Sequence, residues 1–306
     1  MNNGEIMEKL FLNFKKRIEE YPNLVESMCL SNKDGLLWIE QYIPRTVRNI
    51  YSHSKSFTSL MVGISIDEGK LSLNTRLVDV FKDIIDNVIY QRLYDITVKD
   101  LLTMSSGFDG DFLFTNQRNQ GLGYPDYLSY MLSQELRVKP GTKFHYSNGD
   151  TYLLSRIIEK VYNKRFIHLC YEKIFKPLEI GFPMWGCDPL GYPIAASELC
   201  LNVEQMNKLG ILFLNDGVYN GKRIISKEYI EMCSKSQIKT PSNYWGDYSF
   251  QFWMVPEIDG YRADGAYGQL TIIMPKQGYA LSFQRPEDDK LSIVIDILKQ
   301  EIFNKL

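Results

Sequence analysis

The stretch Ser52-His53-Ser54-Lys55 carries the residue types and spacing best suited to covalent chemistry in this chain. A serine hydroxyl becomes a useful nucleophile when a neighbour takes its proton, and a lysine that has lost its charge can be that neighbour. Phe57, Leu60, Met61 and Ile64 follow at helical spacing and Gly69 after Glu68 offers a stop, so a helix with one apolar face is expected. Ser52 and Lys55, three apart, then share a face near its first turn, although a plain helix cap would also place a serine there. A second polar group, Tyr146 and Asn148 in "GTKFHYSNGDTYLL", lies in a loop that runs into a strong helix and can face a cleft; the competing reading is that Asn148 or Asp150 caps that helix. Ser-x-x-Lys recurs at Ser236 to Lys239 and Tyr-x-Asn at Tyr21 to Asn23, so neither motif is specific alone. Their order carries the weight: Ser-x-x-Lys, then "LLTMSSG", then Tyr-x-Asn, then a Gly-rich stretch on a late strand.

Composition narrows the chemistry. The chain has 306 residues, a formal net charge of -2 and a sequence pI near 6.0, with basic residues scattered among acids, which argues against a nucleic-acid surface. No apolar run reaches membrane-span length, and "MNNGEIMEKLFLNF" is polar and then amphipathic rather than signal-like, so a cytoplasmic protein is expected. Cys29, Cys170, Cys187, Cys200 and Cys233 are odd in number and form no C-x-x-C pair; no disulfide framework or zinc site is expected, and most should be small buried hydrophobes. There are three histidines, His53, His145 and His168, and no H-E-x-x-H, G-x-S-x-G, P-loop or G-x-G-x-x-G motif. Neither metal nor cofactor is expected. His53, about 100° round the helix from Ser52, and His145 are expected to be packed or exposed rather than catalytic.

The elements that must position these residues read as α+β. An amphipathic helix over 5–20 precedes two strands joined by a turn at Lys33-Asp34-Gly35. From about 70 to 235 helical spacing dominates, including one long run, "DTYLLSRIIEKVYNKRFIHLCYEKIF". The runs "FQFWMVPEI", "GQLTIIMP" and "GYALSFQRP" then read as strands, and a helix over 288–304 closes the chain. The expected architecture is an antiparallel sheet domain built from residues 1–70 and 240–306, flanked by helices, with a mainly helical domain over 71–239 and the site in the cleft between them.

With "SHSKSFTSLMVGISIDEGKL", "ITVKDLLTMSSGF", "KPGTKFHYSNGDTYLLSRIIEK", "KLGILFLNDGVYNGKRIIS" and "ADGAYGQLTIIMP" in that order, the chain resembles, over nearly its whole length, the serine β-lactamase and penicillin-binding-protein superfamily. The closer likeness is to its class C-like branch of esterases, D-stereospecific peptidases and amidases. The resemblance implies a β-lactamase/transpeptidase-like fold, with Ser52 as nucleophile of an acyl-enzyme, Lys55 and Tyr146 as its general base pair, and Asn148 orienting the lysine or the substrate amide. Either a neutral Lys55 takes the proton, or a charged Lys55 stabilises a Tyr146 phenolate. The resemblance also implies an oxyanion site formed by the N–H of Ser52 and a late-strand donor, here Ala266.

The family's Lys/His-Thr-Gly triplet reads Ala263-Asp264-Gly265 in this chain. An aspartate there should repel the carboxylate that the triplet holds in penicillin-recognising members, which favours an esterase or amidase acting on a small neutral or cationic substrate over a β-lactamase. Arg262, just before the triplet, is expected to point to the opposite side. Gly265 and Gly268 should let substrate approach the strand. Trp185 in "FPMWGCDPLGYP" and Tyr244-Trp245 in "SNYWGDYSF" are candidates for lining the pocket, and Asp109 and Asp111 for loop solvation. The alternative from another class is a penicillin-binding-like sensor that acylates slowly or not at all.

Overall fold

Both ends of the chain meet in one sheet in the computed structural model, which describes residues 3–242 and 244–306. Its strands are β1 (Ser27–Asn32), β2 (Gly35–Gln41), β3 (Trp253–Val255), β4 (Gly260–Gly265), β5 (Gln269–Met274) and β6 (Tyr279–Gln284). They lie in the order β2-β1-β6-β5-β4-β3 with every neighbour antiparallel. The turn between β1 and β2 falls where expected. The Asn32 side chain accepts from the N–H groups of Asp34 and Gly35 at 2.8 and 3.2 Å, and Gly35 takes a φ of 135°.

The longer helices are α1 (Asn3–Glu19), α2 (Ser54–Asp67), α3 (Asn148–Tyr162), α4 (Val203–Leu214) and α5 (Leu291–Glu301). On one face of the sheet α1 and α5 bury Phe11, Phe14, Val294 and Leu298 against Met28, Ile272 and Phe283. The other face is covered by α4 and α2. A side chain at Gly210 of α4 would run into Ala280 of β6, and Asn207 donates to the Ala280 carbonyl at 3.3 Å and Ser282 Oγ at 3.0 Å. Thus α4, although within 71–239, is a layer of the sheet domain, and the helical part is not cleanly separated at those boundaries. No helix among the described residues is long and apolar enough to cross a membrane.

Three local expectations are corrected. Strand β4, which the family resemblance placed on a late strand, lies outside the runs that read as strands from residue type, because Gly260, Asp264 and Gly265 are poor strand formers; pairing with β3 and β5 on its two edges overrides that preference. The run after Asp150 is not one helix. Asn163 ends α3 in the left-handed region at φ 49°, and Phe166–Cys170 then begins a new helix that widens into a π turn over Tyr171–Phe175. Finally, α2 is buried all round from Ser54 to Ser65 rather than on one face, which makes it the central helix of the molecule.

The first turn of α3 is held in place by a buried acid. Ser106, from "LLTMSSG", donates to Asp150 Oδ1 at 2.7 Å, while Oδ2 has no partner and the side chain is fully buried. Burial, opposed by the Ser106 bonds and helped by the Asp100 charge, pushes the Asp150 carboxyl up to about 8. The folded chain therefore keeps a proton that the unfolded chain loses near pH 4, so this group's contribution to stability falls as pH rises between about 4 and 8. Asp150→Asn should remove a slope of up to about 1.4 kcal/mol per pH unit, seen as a flatter dependence of melting temperature on pH than the wild type gives. Parallel curves for the two proteins would show that Asp150 is ionised in the fold.

Candidate active site

Ser52 sits in a 3-10 turn, Tyr51–His53, that leads into α2, and α2 has no side-chain cap. The capping explanation for Ser52 therefore does not apply. The polar side chains around it each fasten the turn and helix to a different neighbour. Ser54 Oγ donates to the Tyr51 carbonyl at 2.6 Å and accepts from Leu199 N at 3.3 Å; Thr58 donates to the Ala195 carbonyl at 3.0 Å. Together these lay the 195–199 loop along the helix. Ser56 donates to the Gln251 carbonyl at 2.8 Å, and His53 Nε2 meets Thr271 Oγ1 of β5 at 2.8 Å. The His53 ring is fully buried, and burial lowers its pKa to about 3, so it is a neutral strut.

Lys55, only 1% exposed, makes three contacts through Nζ: Asn148 Oδ1 at 2.6 Å, the Ala196 carbonyl at 2.9 Å and Ser52 Oγ at 3.0 Å. Asn148 is fixed in this orientation because its Nδ2 donates to the Leu113 carbonyl at 3.2 Å. Burial, reinforced by the Arg118 charge, holds the Lys55 amine well below the usual lysine range. Asn148 does not cap α3; Ser147 does, accepting from Gly149 N at 3.1 Å.

Tyr146, in the same loop, closes the group. Its ring lies 4.8 Å from Lys55 Nζ, and Ser52 is near enough to act on its hydroxyl. Burial raises its pKa, the Asp264 and Tyr244 charges add to this, and Ser52 opposes it, so the phenol stays protonated. Trp253, Tyr248, Phe144 and Phe114 surround the ring at 5.6 to 6.4 Å, and Tyr244 stacks on Trp253 at 5.1 Å.

The end of β4 borders the same group. A side chain at Gly265 would overlap the Ile50 carbonyl, so the glycine is required by the chain leading to Ser52, not by a ligand. Gly268, at φ 89°, packs on Arg285 and Leu291, again on protein. Ala266 opens the turn Ala266–Gly268, whose first two residues are exposed. The rings of Tyr51 and Tyr267, next to Ser52 and Ala266 respectively, meet edge to face at 5.2 Å, which brings the two turns side by side.

Asp264 is partly exposed and close enough to Tyr146 to act on its charge. The expected opposite orientation of Arg262 is wrong: the two residues are i and i+2, share a face of β4 and form a 2.8 Å ion pair. The buried Arg262 guanidinium lies 4.1 Å from the Trp245 ring and donates to the carbonyls of Trp245 and Met254 at 3.0 and 3.1 Å. Trp245 thus braces Arg262 from behind, with its Nε1 on Glu257 at 2.9 Å, and does not line the cleft. Its neighbour Tyr244 does reach the aromatic wall. Trp185 is a core residue, packed on Phe166 and Phe175 with Nε1 on the Ser197 carbonyl at 2.9 Å. Asp109 and Asp111 form exposed pairs with Arg137 and His145.

Sequence analysis did not single out Arg118, the Ala196 carbonyl, the Leu113 carbonyl or Trp253. Backbone acceptors leave no signature in residue type, but the Gly/Pro-punctuated loop ahead of Ala196 was a signal that its backbone could be put to use. Elsewhere, a groove of about 620 Å³ at the far end of α3 is lined by Arg156, Glu159, Lys160 and Tyr192, and lies away from Ser52.

The Beta-lactamase family model matches residues 35–284. Protein flp of Staphylococcus aureus (strain MW2) is 27% identical over 212 residues, which take in 66% of this chain but 40% of flp, so the chain spans well under half of that relative. The penicillin binding protein from Bacillus halodurans superposes with a TM-score of 0.75 at 16% identity, covering 94% of this chain and 99% of the other. A family VIII carboxylesterase superposes with a TM-score of 0.73 at 16% identity, covering 97% and 98%. At such identities the superpositions speak for the fold, and the family model speaks for descent. Since that match runs from β2 to the last residue of β6, across every element that borders Ser52, the chain belongs to the beta-lactamase family and has its serine-hydrolase fold.

Proposed function

We propose that the protein cleaves an ester or amide through a covalent acyl-enzyme on Ser52, with neutral Lys55 as the proton acceptor. The observation that carries this is the arrangement around Nζ. Asn148 Oδ1 and the Ala196 carbonyl can only accept, so they occupy both hydrogens of a neutral amine and leave its lone pair directed at Ser52 Oγ, 3.0 Å away. A phenolate at Tyr146 is disfavoured by the burial and nearby carboxylate that raise its pKa.

In the proposed cycle Ser52 Oγ attacks the carbonyl carbon as its proton passes to Lys55. The tetrahedral oxyanion is held by the N–H groups of Ser52 and Ala266. Collapse breaks the bond to the leaving group, which takes the proton from Lys55 through the Tyr146 hydroxyl, and water repeats the sequence on the acyl-enzyme. Asp264 and the aromatic wall favour neutral or cationic small molecules over carboxylates. Because Arg262 offsets the Asp264 charge, that preference is weaker than an unpaired aspartate would give.

Incubation with a fluorophosphonate followed by mass spectrometry should give one adduct, on Ser52, that Ser52→Ala abolishes without loss of fold. No adduct on the wild type would favour the non-catalytic sensor. Lys55→Ala and Tyr146→Phe should each lower kcat/KM for p-nitrophenyl acetate by roughly 100-fold, and the double variant by far less than the product. Multiplying losses would place the two residues in separate steps. Lastly, the wild type should prefer p-nitrophenyl acetate to nitrocefin, and Asp264→Asn, which leaves the Arg262 charge uncompensated, should move the kcat/KM ratio toward nitrocefin by about tenfold. An unmoved ratio would place Asp264 outside the substrate's reach.

A further inference from the structure

Of the acceptors that face Lys55 beside Ser52, the Ala196 carbonyl lies on one loop and Asn148, at the start of α3, is oriented by another, and one side chain holds both loops. Arg118, on the short helix Thr115–Asn119, donates from Nε to the Leu113 carbonyl at 3.1 Å, the same oxygen that receives Asn148 Nδ2. Its Nη2 pairs with Glu198, two residues beyond the Ala196 carbonyl that receives Lys55. Leu113 and Glu198 both have left-handed backbones, at φ 61° and 68°, conformations that cost a non-glycine residue on the order of 1 kcal/mol and persist only where surroundings enforce them. The Arg118 side chain is 10% exposed, so these bonds are made largely out of water.

We infer that Arg118 is a positioning residue for the proposed base, clamping the Leu113 and Glu198 loops so that Asn148 and Ala196 present their oxygens to Lys55. This rests on the acyl-enzyme reading above and adds an electrostatic role to it. The charged or titratable groups that face Lys55 are Arg118 and Glu198 from these loops and Tyr146 from the loop before α3, with Asp264 beyond Tyr146; His53, on its own turn, is directed to β5. Of these, the Arg118 cation disfavours a proton on Lys55, and Glu198 is ion-paired with that cation.

The test is the pH profile of kcat/KM for p-nitrophenyl acetate, together with the rate of fluorophosphonate labelling of Ser52. Arg118→Gln removes the cation and the clamp: the acidic limb should move to higher pH and the plateau should fall about tenfold. Arg118→Lys keeps the charge without the fork, so the plateau should fall while the limb stays near the wild-type position. Glu198→Gln leaves the Arg118 charge unbalanced and should move the limb the other way, to lower pH. A merely structural residue would change melting temperature and active fraction without these opposed displacements. A labelled wild type whose profile Arg118→Gln leaves in place, or displacements of the same sign for Arg118→Gln and Glu198→Gln, overturns the inference alone. A wild type without an adduct on Ser52 overturns the acyl-enzyme reading and the role of Arg118 with it.

Discussion

A lysine nitrogen held out of water is the constraint around which the cleft is built. An unsupported ammonium in a protein interior costs several kcal/mol, so Lys55 can be buried only if it is neutral, fully hydrogen-bonded or both. Its three partners come from three separate parts of the chain: the turn before α2, the start of α3 and the 195–199 loop. None of these is fixed by local preference alone. The hydroxyls of Ser54 and Thr58 hold the third segment against α2, Leu113 orients Asn148, and Gly265 lets the chain enter the Ser52 turn across β4. The polar start of an otherwise apolar central helix is thus a set of anchors for groups that must meet at one nitrogen.

Charge in the cleft is arranged in balanced pairs. Arg118 is matched by Glu198 on one side and Arg262 by Asp264 on the other, with both guanidinium groups largely buried. Each arginine also donates to backbone carbonyls, which satisfies a fork that a single carboxylate could not. The local field at Ser52 therefore depends on how far each pair is offset from the nucleophile rather than on net charge. With its charge paired to Arg262, Asp264 repels an anion less than an unpaired aspartate would.

Much of this was legible from residue types. The helix beginning near Ser52, the hairpin at Lys33-Asp34-Gly35, the two-ended sheet and the meeting of Ser52, Lys55, Tyr146 and Asn148 follow from periodicity, turn chemistry and motif order. What was not legible depended on contacts between distant segments. Strand β4 exists because neighbours pair with it, and Trp185 is core because Phe166 and Phe175 fold over it, although its loop reads as surface. The Arg262–Asp264 pair was accessible to strand periodicity, since residues two apart share a face, and was missed by counting from the start of the triplet. Arg118 lies in an inconspicuous polar stretch, "TNQRNQG", and acquires meaning only through the carbonyl it shares with Asn148.

The pairing of β1 with β6 joins residues about 250 positions apart, Ser27 with Gln284 at one end and Asn32 with Tyr279 at the other. During synthesis the early hairpin must therefore wait, with one edge unsatisfied, until the final strand leaves the ribosome, and contacts of such long range make for slow closure. The β4 edge beside Ser52 belongs to that same late-forming half of the sheet. Until it docks, Lys55 has no finished interior to bury it, and its amine stays hydrated and charged.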